Sequence, residues 1–133
     1  MNRPRILVVD DEREACDLIR MTLDSRDFRT EVAHDGVQAW ISILESPPHV
    51  VVLDIQLPGI NGYELLTRIR KTASLDALPV VLVTGLTDAS GLGDTEWARV
   101  TGADALFSKP FDPDNFVETV RRLATGAVRR STA

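Results

Sequence analysis

Residues 6–12 read ILVVDDE, and this stretch decides the fold. Four aliphatic side chains with no polar residue between them suit a strand covered on both faces. The run then stops on three acids, Asp10, Asp11 and Glu12. The same grammar returns along the chain. Val50-Val51-Val52-Leu53 ends in Asp54, residues 79–84 (PVVLVT) end in Thr84, and residues 105–108 (ALFS) precede Lys109-Pro110. Residues 29–33 (RTEVA) form a weaker run, suited to an edge strand. Five strands separated by helical segments predict an α/β fold: a doubly wound, five-stranded parallel sheet with helices on both faces and right-handed crossovers.

The helical segments carry their own signals. Ala15, Leu18, Ile19 and Leu23 make one apolar stripe; Val37, Trp40, Ile41 and Leu44 make another, stopped by Pro47-Pro48. Both are expected to face the core. Asn61 with Glu64 three residues on predicts a capping box before Leu65, Leu66 and Ile69. Asp112 followed by Pro113 predicts a cap with proline at the first helical position. Phe116, Val117, Val120, Leu123 and Ala124 form the last stripe, and Gly126 ends it. Residues 85–102 (GLTDASGLGDTEWARVTG) hold four glycines and predict a loop with a stunted helix near 94–101. No linker or internal repeat interrupts the pattern, so one domain is expected over 1–126, with a frayed tail at 127–133.

Bulk properties narrow the function classes. The chain has 133 residues, 44% hydrophobic and 26% charged, which fits one globular domain with a real core. A formal charge of −5 argues against direct nucleic-acid binding, and Arg121, Arg122, Arg129 and Arg130 read as a solvated face and tail. Cys16 is the single cysteine, which excludes an intramolecular disulfide framework and leaves a small buried thiol as the reading. No apolar run approaches membrane-spanning length and no signal peptide is visible, so a cytoplasmic protein without membrane contact is expected.

In open parallel sheets ligands bind beyond the carboxyl ends of the strands. That edge receives Asp10, Asp11, Asp54, Thr84 and Lys109. Two unit charges about 4 Å apart repel by roughly 4 kcal/mol at an effective dielectric of 20, so clustered carboxylates need a cation or a shared proton. A hard dication such as Mg²⁺ suits one or two carboxylates, a carbonyl and waters. A carboxylate beside that cation and Lys109 is placed to attack a phosphoryl group and form an aspartyl phosphate.

The sequence resembles the receiver domains of two-component response regulators over about residues 4–125. ILVVDDE (6–12), VVVLDIQLPGINGYELL (50–66), PVVLVTG (79–85) and GADALFSKPF (102–111) carry the resemblance. It implies the flavodoxin-like strand order 2-1-3-4-5, with the reversal between strands 1 and 3. It further implies Asp54 as phosphoacceptor, Asp11 as a direct ligand of Mg²⁺ (or another divalent cation such as Mn²⁺), and Asp10 as a ligand through water. Gln56 would lend its backbone carbonyl. Lys109 would contact the phosphoryl group, Thr84 would turn its hydroxyl toward it, and Gly85 would offer its N–H. The Lys109-Pro110 bond is expected to be cis. The implied partners are a histidine kinase or phosphotransfer protein, a downstream protein target, and a second copy through strand 4, strand 5 and the last helix. Such a domain takes part in its own phosphorylation and dephosphorylation without turning over a separate substrate.

Two departures bear on signalling. Leu106 stands where receivers often carry Tyr or Phe, with Phe107 expected on the opposite face of its strand. Residues 85–102 are longer and richer in glycine than is usual. They keep a rival reading, a receiver-like binding module that signals without phosphorylation. A flavin carrier on the same topology needs a hydroxyl- or glycine-rich phosphate loop after strand 1, where this chain has carboxylates. An aspartyl phosphatase would usually place its nucleophile after strand 1 and carry a cap insertion, which is not visible. Among single residues, Trp40 reads as core, Trp97 as a core plug or an exposed anchor, and His34 and His49 as surface residues at strand margins. Pro58, Gly59 and Gly62 read as turn chemistry.

Overall fold

The computed structural model describes residues 3–85 and 102–126. In chain order the elements are β1 (Arg5–Val9), α1 (Arg13–Asp24), β2 (Arg29–Ala33), α2 (Gly36–Glu45), β3 (Val50–Asp54), α3 (Gly62–Lys71), β4 (Val80–Thr84), β5 (Ala105–Ser108) and α4 (Pro113–Ala124). The strands form one parallel sheet in the order β2-β1-β3-β4-β5. The expectations for residues 86–101, Trp97 among them, and for the tail at 127–133 lie outside the described residues.

The unbroken aliphatic runs are explained by burial on both faces. β3 and β4 are buried at every position. Alternate side chains divide the core in two. Leu7, Val9, Val51, Leu53, Leu82 and Leu106 meet α2 and α3 on one face. Ile6, Val8, Val50, Val52, Val81 and Phe107 meet α1 and α4 on the other. Leu106 and Phe107 thus point to opposite faces, as expected. Phe107 and Phe116 meet edge-on, with centroids 5.4 Å apart.

The helix ends follow their signals. Asn61 accepts from the Glu64 N–H at 3.0 Å, and Asp112 caps α4 with Pro113 in its first turn. Gly126 ends α4 with a φ of +76°.

Two stripes differ from expectation. In α2 the buried residues are Gly36, Ala39 and Ile43, whereas Val37, Ile41 and Leu44 are each about half exposed (51%, 50% and 53%). The cause is close approach: a Cβ on Gly36 would lie 2.7 Å from the Ile60 Cβ, so the small residues turn inward. One residue of helical phase, about 100°, carries the bulky stripe outward. Trp40 is half-buried, packed on the core with the Arg68 guanidinium 6.0 Å from its ring. In α1 the buried residues are Cys16, Ile19 and Leu23, while Leu18 is 68% exposed.

Gly62 is more than turn chemistry. A Cβ there would come within 2.6 Å of the Asp54 carbonyl oxygen and 2.7 Å of the Ile55 Cα, so only glycine lets α3 begin against the end of β3. Gly62→Ala is expected to cost about 1–2 kcal/mol, because backbone overpacking outweighs the gain in helix propensity. Urea unfolding measures this; unchanged stability would show that the strand end yields freely.

Arg70 fastens the opposite end of the sheet. Its Nε donates to the Gly102 carbonyl (3.0 Å), Nη1 to the Leu78 carbonyl (2.7 Å) and Nη2 to Asp104 Oδ2 (3.0 Å). The same Asp104 oxygen accepts the Val80 N–H at 2.8 Å, so one ion pair joins α3 to the starts of β4 and β5. The sequence reading passed over both residues.

Candidate functional site

β1 and β3 are neighbours in the sheet, and their carboxyl ends bring the acids together. Asp10 follows β1 and is buried; its N–H donates to the Ala33 carbonyl at 3.1 Å. Its Oδ1 accepts the Glu12 N–H at 2.9 Å, and its Oδ2 accepts from Lys109 Nζ at 3.2 Å. Asp54 ends β3 and is buried; its Oδ1 accepts the Gln56 N–H at 3.0 Å. Lys109 Nζ lies 3.5 Å from Asp54 Oδ2 and 4.0 Å from Glu12 Oε1. Asp11 is exposed, and Asp10, Asp11 and Asp54 each offer an oxygen within 4.8 Å of the others.

The remaining expected residues line the same edge. Thr84 is buried at the end of β4, and its carbonyl accepts the Lys109 N–H at 2.8 Å, which anchors the lysine to the neighbouring strand. The Lys109-Pro110 bond is cis. Gly85 is exposed, and a Cβ there would have no neighbour within 4 Å. The Gln56 side chain is exposed, consistent with a role confined to its backbone.

The donor set is all oxygen, two carboxylates buried and one open to water. That composition fits a hard dication that keeps part of its hydration shell. The chain's own electrostatics point the same way. Burial pushes the Asp54 carboxyl from 3.8 up to about 6; the Gln56 N–H opposes this, the Asp10 charge adds to it, and Lys109 opposes it. Burial also works against the Lys109 charge, yet Asp54 and Asp10 outweigh it and hold the ammonium above its usual value.

Lys109→Met removes a charge that favours ionised Asp54. In divalent-free buffer its titration midpoint is expected to rise further, by on the order of one pH unit, followed by carbon-detected NMR. A midpoint that stays put or falls would contradict this electrostatic account.

His34 was missed as a neighbour of the site. It is half-buried, and its Nδ1 lies 3.1 Å from the Asp10 carbonyl oxygen. The signal lay in the pairing of β1 with β2, where Val9 faces Ala33 and the next residues follow side by side. Cys16 is buried as expected, with its Sγ 3.5 Å from the same carbonyl; burial first, then Asp10, pushes the thiol up to about 11. His49 is exposed and accepts the Arg5 N–H at Nδ1.

The chain is similar to known proteins in sequence and in fold. The family profile described as "Response regulator receiver domain" matches residues 6–121. Response regulator Rre1 of Synechocystis is 38% identical over 120 residues, covering 89% of this chain and 50% of its own length. DNA-binding response regulator MtrA of Mycobacterium tuberculosis is 36% identical over 119 residues, covering 90% of this chain and 50% of its own. The chain therefore spans about half the length of these curated relatives. Among solved structures, the Francisella response regulator 1452 receiver domain superposes with a TM-score of 0.83 at 27% identity, covering 95% of this chain and 100% of its own.

Proposed function

This chain belongs to the response regulator receiver domain family of two-component signalling, and we propose on that premise that Asp54 accepts a phosphoryl group from phosphohistidine. The donor is a histidine kinase or a phosphotransfer protein. An Asp54 carboxylate oxygen forms the O–P bond as the P–N bond breaks, and that electron pair stays on the donor imidazole. A divalent cation held by Asp10, Asp11, Asp54 and the Gln56 carbonyl would neutralise the phosphoryl oxygens. Lys109 supplies a second positive charge as a point contact. The Thr84 hydroxyl and the Gly85 N–H take phosphoryl oxygens once Asp54 is modified. The resulting state biases the face built by β4, β5 and α4 toward a downstream protein or a second copy.

The observation that carries this reading is Lys109 Nζ lying 3.2 Å from Asp10 and 3.5 Å from Asp54, with Asp11 in reach of the same point. Incubation with acetyl phosphate and Mg²⁺ tests it. Intact mass is expected to rise by one phosphoryl group, and EDTA to suppress the gain; no gain with Mg²⁺ would refute the proposal.

An apolar groove of about 450 Å³ adjoins the acceptor, lined by Leu18, Ile19, Lys109, Pro110, Phe111 and Phe116. We read it as the seat of the phosphodonor protein, because it runs up to Lys109 and accounts for the exposed Leu18. Leu18→Glu should slow transfer from a phosphorylated donor protein about tenfold or more while leaving acetyl phosphate labelling unchanged. Equal loss with both donors would place the damage in the acceptor site instead.

One observation favours the rival reading of a phosphorylation-independent module: position 106, buried on the α2/α3 face, holds leucine in place of a Tyr or Phe ring. Phosphoryl uptake on Asp54 with no change in partner binding would support it.

A further inference from the structure

The corner between β2 and α2 supplies no side chain to the proposed acceptor chemistry, yet it touches both strand ends that do. On one side it holds Asp10. The Ala33 carbonyl accepts the Asp10 N–H at 3.1 Å, and His34 Nδ1 lies 3.1 Å from the Asp10 carbonyl oxygen. On the other side it meets the loop that leaves Asp54. A Cβ on Gly36 would overlap the Ile60 carbonyl oxygen and lie 2.7 Å from the Ile60 Cβ, so the first residue of α2 rests directly on that loop. The corner is braced from within: Asp35 Oδ1 accepts the Gln38 N–H at 2.8 Å, and Gln38 Oε1 accepts the His34 N–H at 3.1 Å.

The loop is fastened near its start as well. The Ile55 N–H donates to the Val83 carbonyl at 3.1 Å, the Gly62 N–H donates to the Ile55 carbonyl at 3.0 Å, and Leu57 is buried. Gln56 lies between these anchors and Ile60, and its N–H donates to Asp54 Oδ1 at 3.0 Å. Ile60 is thus a second fixed point for the stretch that carries Gln56, and the Gly36 contact is what fixes it. On the phosphoacceptor reading of Asp54, we propose that Gly36 is a positioning residue for the divalent cation: through Ile60 it sets the spacing between the Gln56 backbone and Asp10. A side chain at position 36 displaces Ile60, while Asp10 keeps its own bond to the same corner. The spacing of the two ligand-bearing segments then changes. Mg²⁺ feels that change most, because it demands near-ideal octahedral geometry at about 2.0–2.1 Å, whereas Ca²⁺ accepts irregular oxygen shells at about 2.3–2.6 Å. Residues that orient ligands without touching the metal act on affinity in this way.

Chemical-shift titration of the unphosphorylated protein with Mg²⁺ and, separately, with Ca²⁺ tests this without any phosphodonor. Gly36→Ala should weaken Mg²⁺ binding about tenfold and Ca²⁺ binding clearly less, so that the preference for Mg²⁺ over Ca²⁺ falls by roughly threefold or more. Ile60→Ala, which leaves α2 untouched, should lower the same preference, and it decides alone should Gly36→Ala not fold. Arg70→Lys, at the opposite end of the sheet, should lower the urea midpoint and leave the preference as it is. That control separates positioning from general loosening, and a preference that falls equally in Arg70→Lys would overturn the role of Gly36. A wild-type protein that binds no Mg²⁺ would bring down the phosphoacceptor reading and this inference with it. Wild-type binding together with an unchanged preference in Gly36→Ala and Ile60→Ala would overturn this inference alone.

Discussion

Asp54→Asn is expected to take up no measurable phosphoryl group from acetyl phosphate and Mg²⁺, a fall of at least about 100-fold for loss of the proposed nucleophile. The same substitution makes the divalent-free protein more stable at neutral pH. The Asp54 carboxyl stands at about 6 in the fold against an ordinary 3.8. Its stabilising influence is therefore complete below pH 4, where the folded and unfolded chains both hold the proton. That influence disappears as pH rises through 6, where the folded chain must ionise a buried group at a cost the unfolded chain does not bear. Asparagine keeps the acceptor for the Gln56 N–H and carries no charge. At pH 7.5 the variant should exceed the wild type by roughly 1–3 kcal/mol, the Lys109 attraction being already contained in the value of about 6, and the gap should close toward pH 4. Mg²⁺ should narrow it at neutral pH by stabilising the wild type. Urea unfolding at three pH values, with and without Mg²⁺, measures all of this; a variant less stable at pH 7.5 would mean that the acid cluster is not strained.

Arg70→Met is expected to cost about 2–3 kcal/mol, because it takes the guanidinium away from a carboxylate largely withdrawn from water. The Asp104 side chain is 9% exposed and that of Arg70 13%. Methionine fills much of the same space but donates nothing to the Gly102 or Leu78 carbonyls, which would also lose hydrogen bonds from Arg70. Arg70→Lys should restore only part of the loss, since one ammonium cannot span a fork of separate acceptors. The proposed phosphoryl site lies at the other end of the strands, so acetyl phosphate labelling of the folded fraction should persist. A loss under 1 kcal/mol on urea unfolding would show that water replaces the guanidinium at little cost.

Most of the sheet was legible because burial on both faces leaves an unmistakable trace: β1, β3 and β4 are aliphatic runs with nothing polar inside them. The gathering of the candidate site residues was legible because those runs stop on charge. Asp10, Asp54, Thr84 and Lys109 each terminate or follow a strand, and a parallel sheet puts all such ends on one edge. What escaped was information that hydrophobicity does not carry. In α2 the sheet-facing positions are Gly36 and Ala39, chosen for closeness, so the bulkier stripe one position over imitated the core face. Leu18 misled in the same way, being apolar toward a groove and not toward the sheet. Arg70 looked like an ordinary base at a helix end, and only the fold shows which carbonyls it reaches. His34 came beside Asp10 through strand pairing, which leaves no local mark.

The most direct measurement is the chemical location of the label. Borohydride reduction of the acetyl phosphate-treated protein converts an aspartyl phosphate to homoserine, which peptide sequencing by mass spectrometry then places. The account predicts homoserine at position 54 in the wild type, and none when Mg²⁺ is withheld. Homoserine at position 10 or 11, or a phosphoryl group that resists reduction because it sits on a histidine, would contradict it.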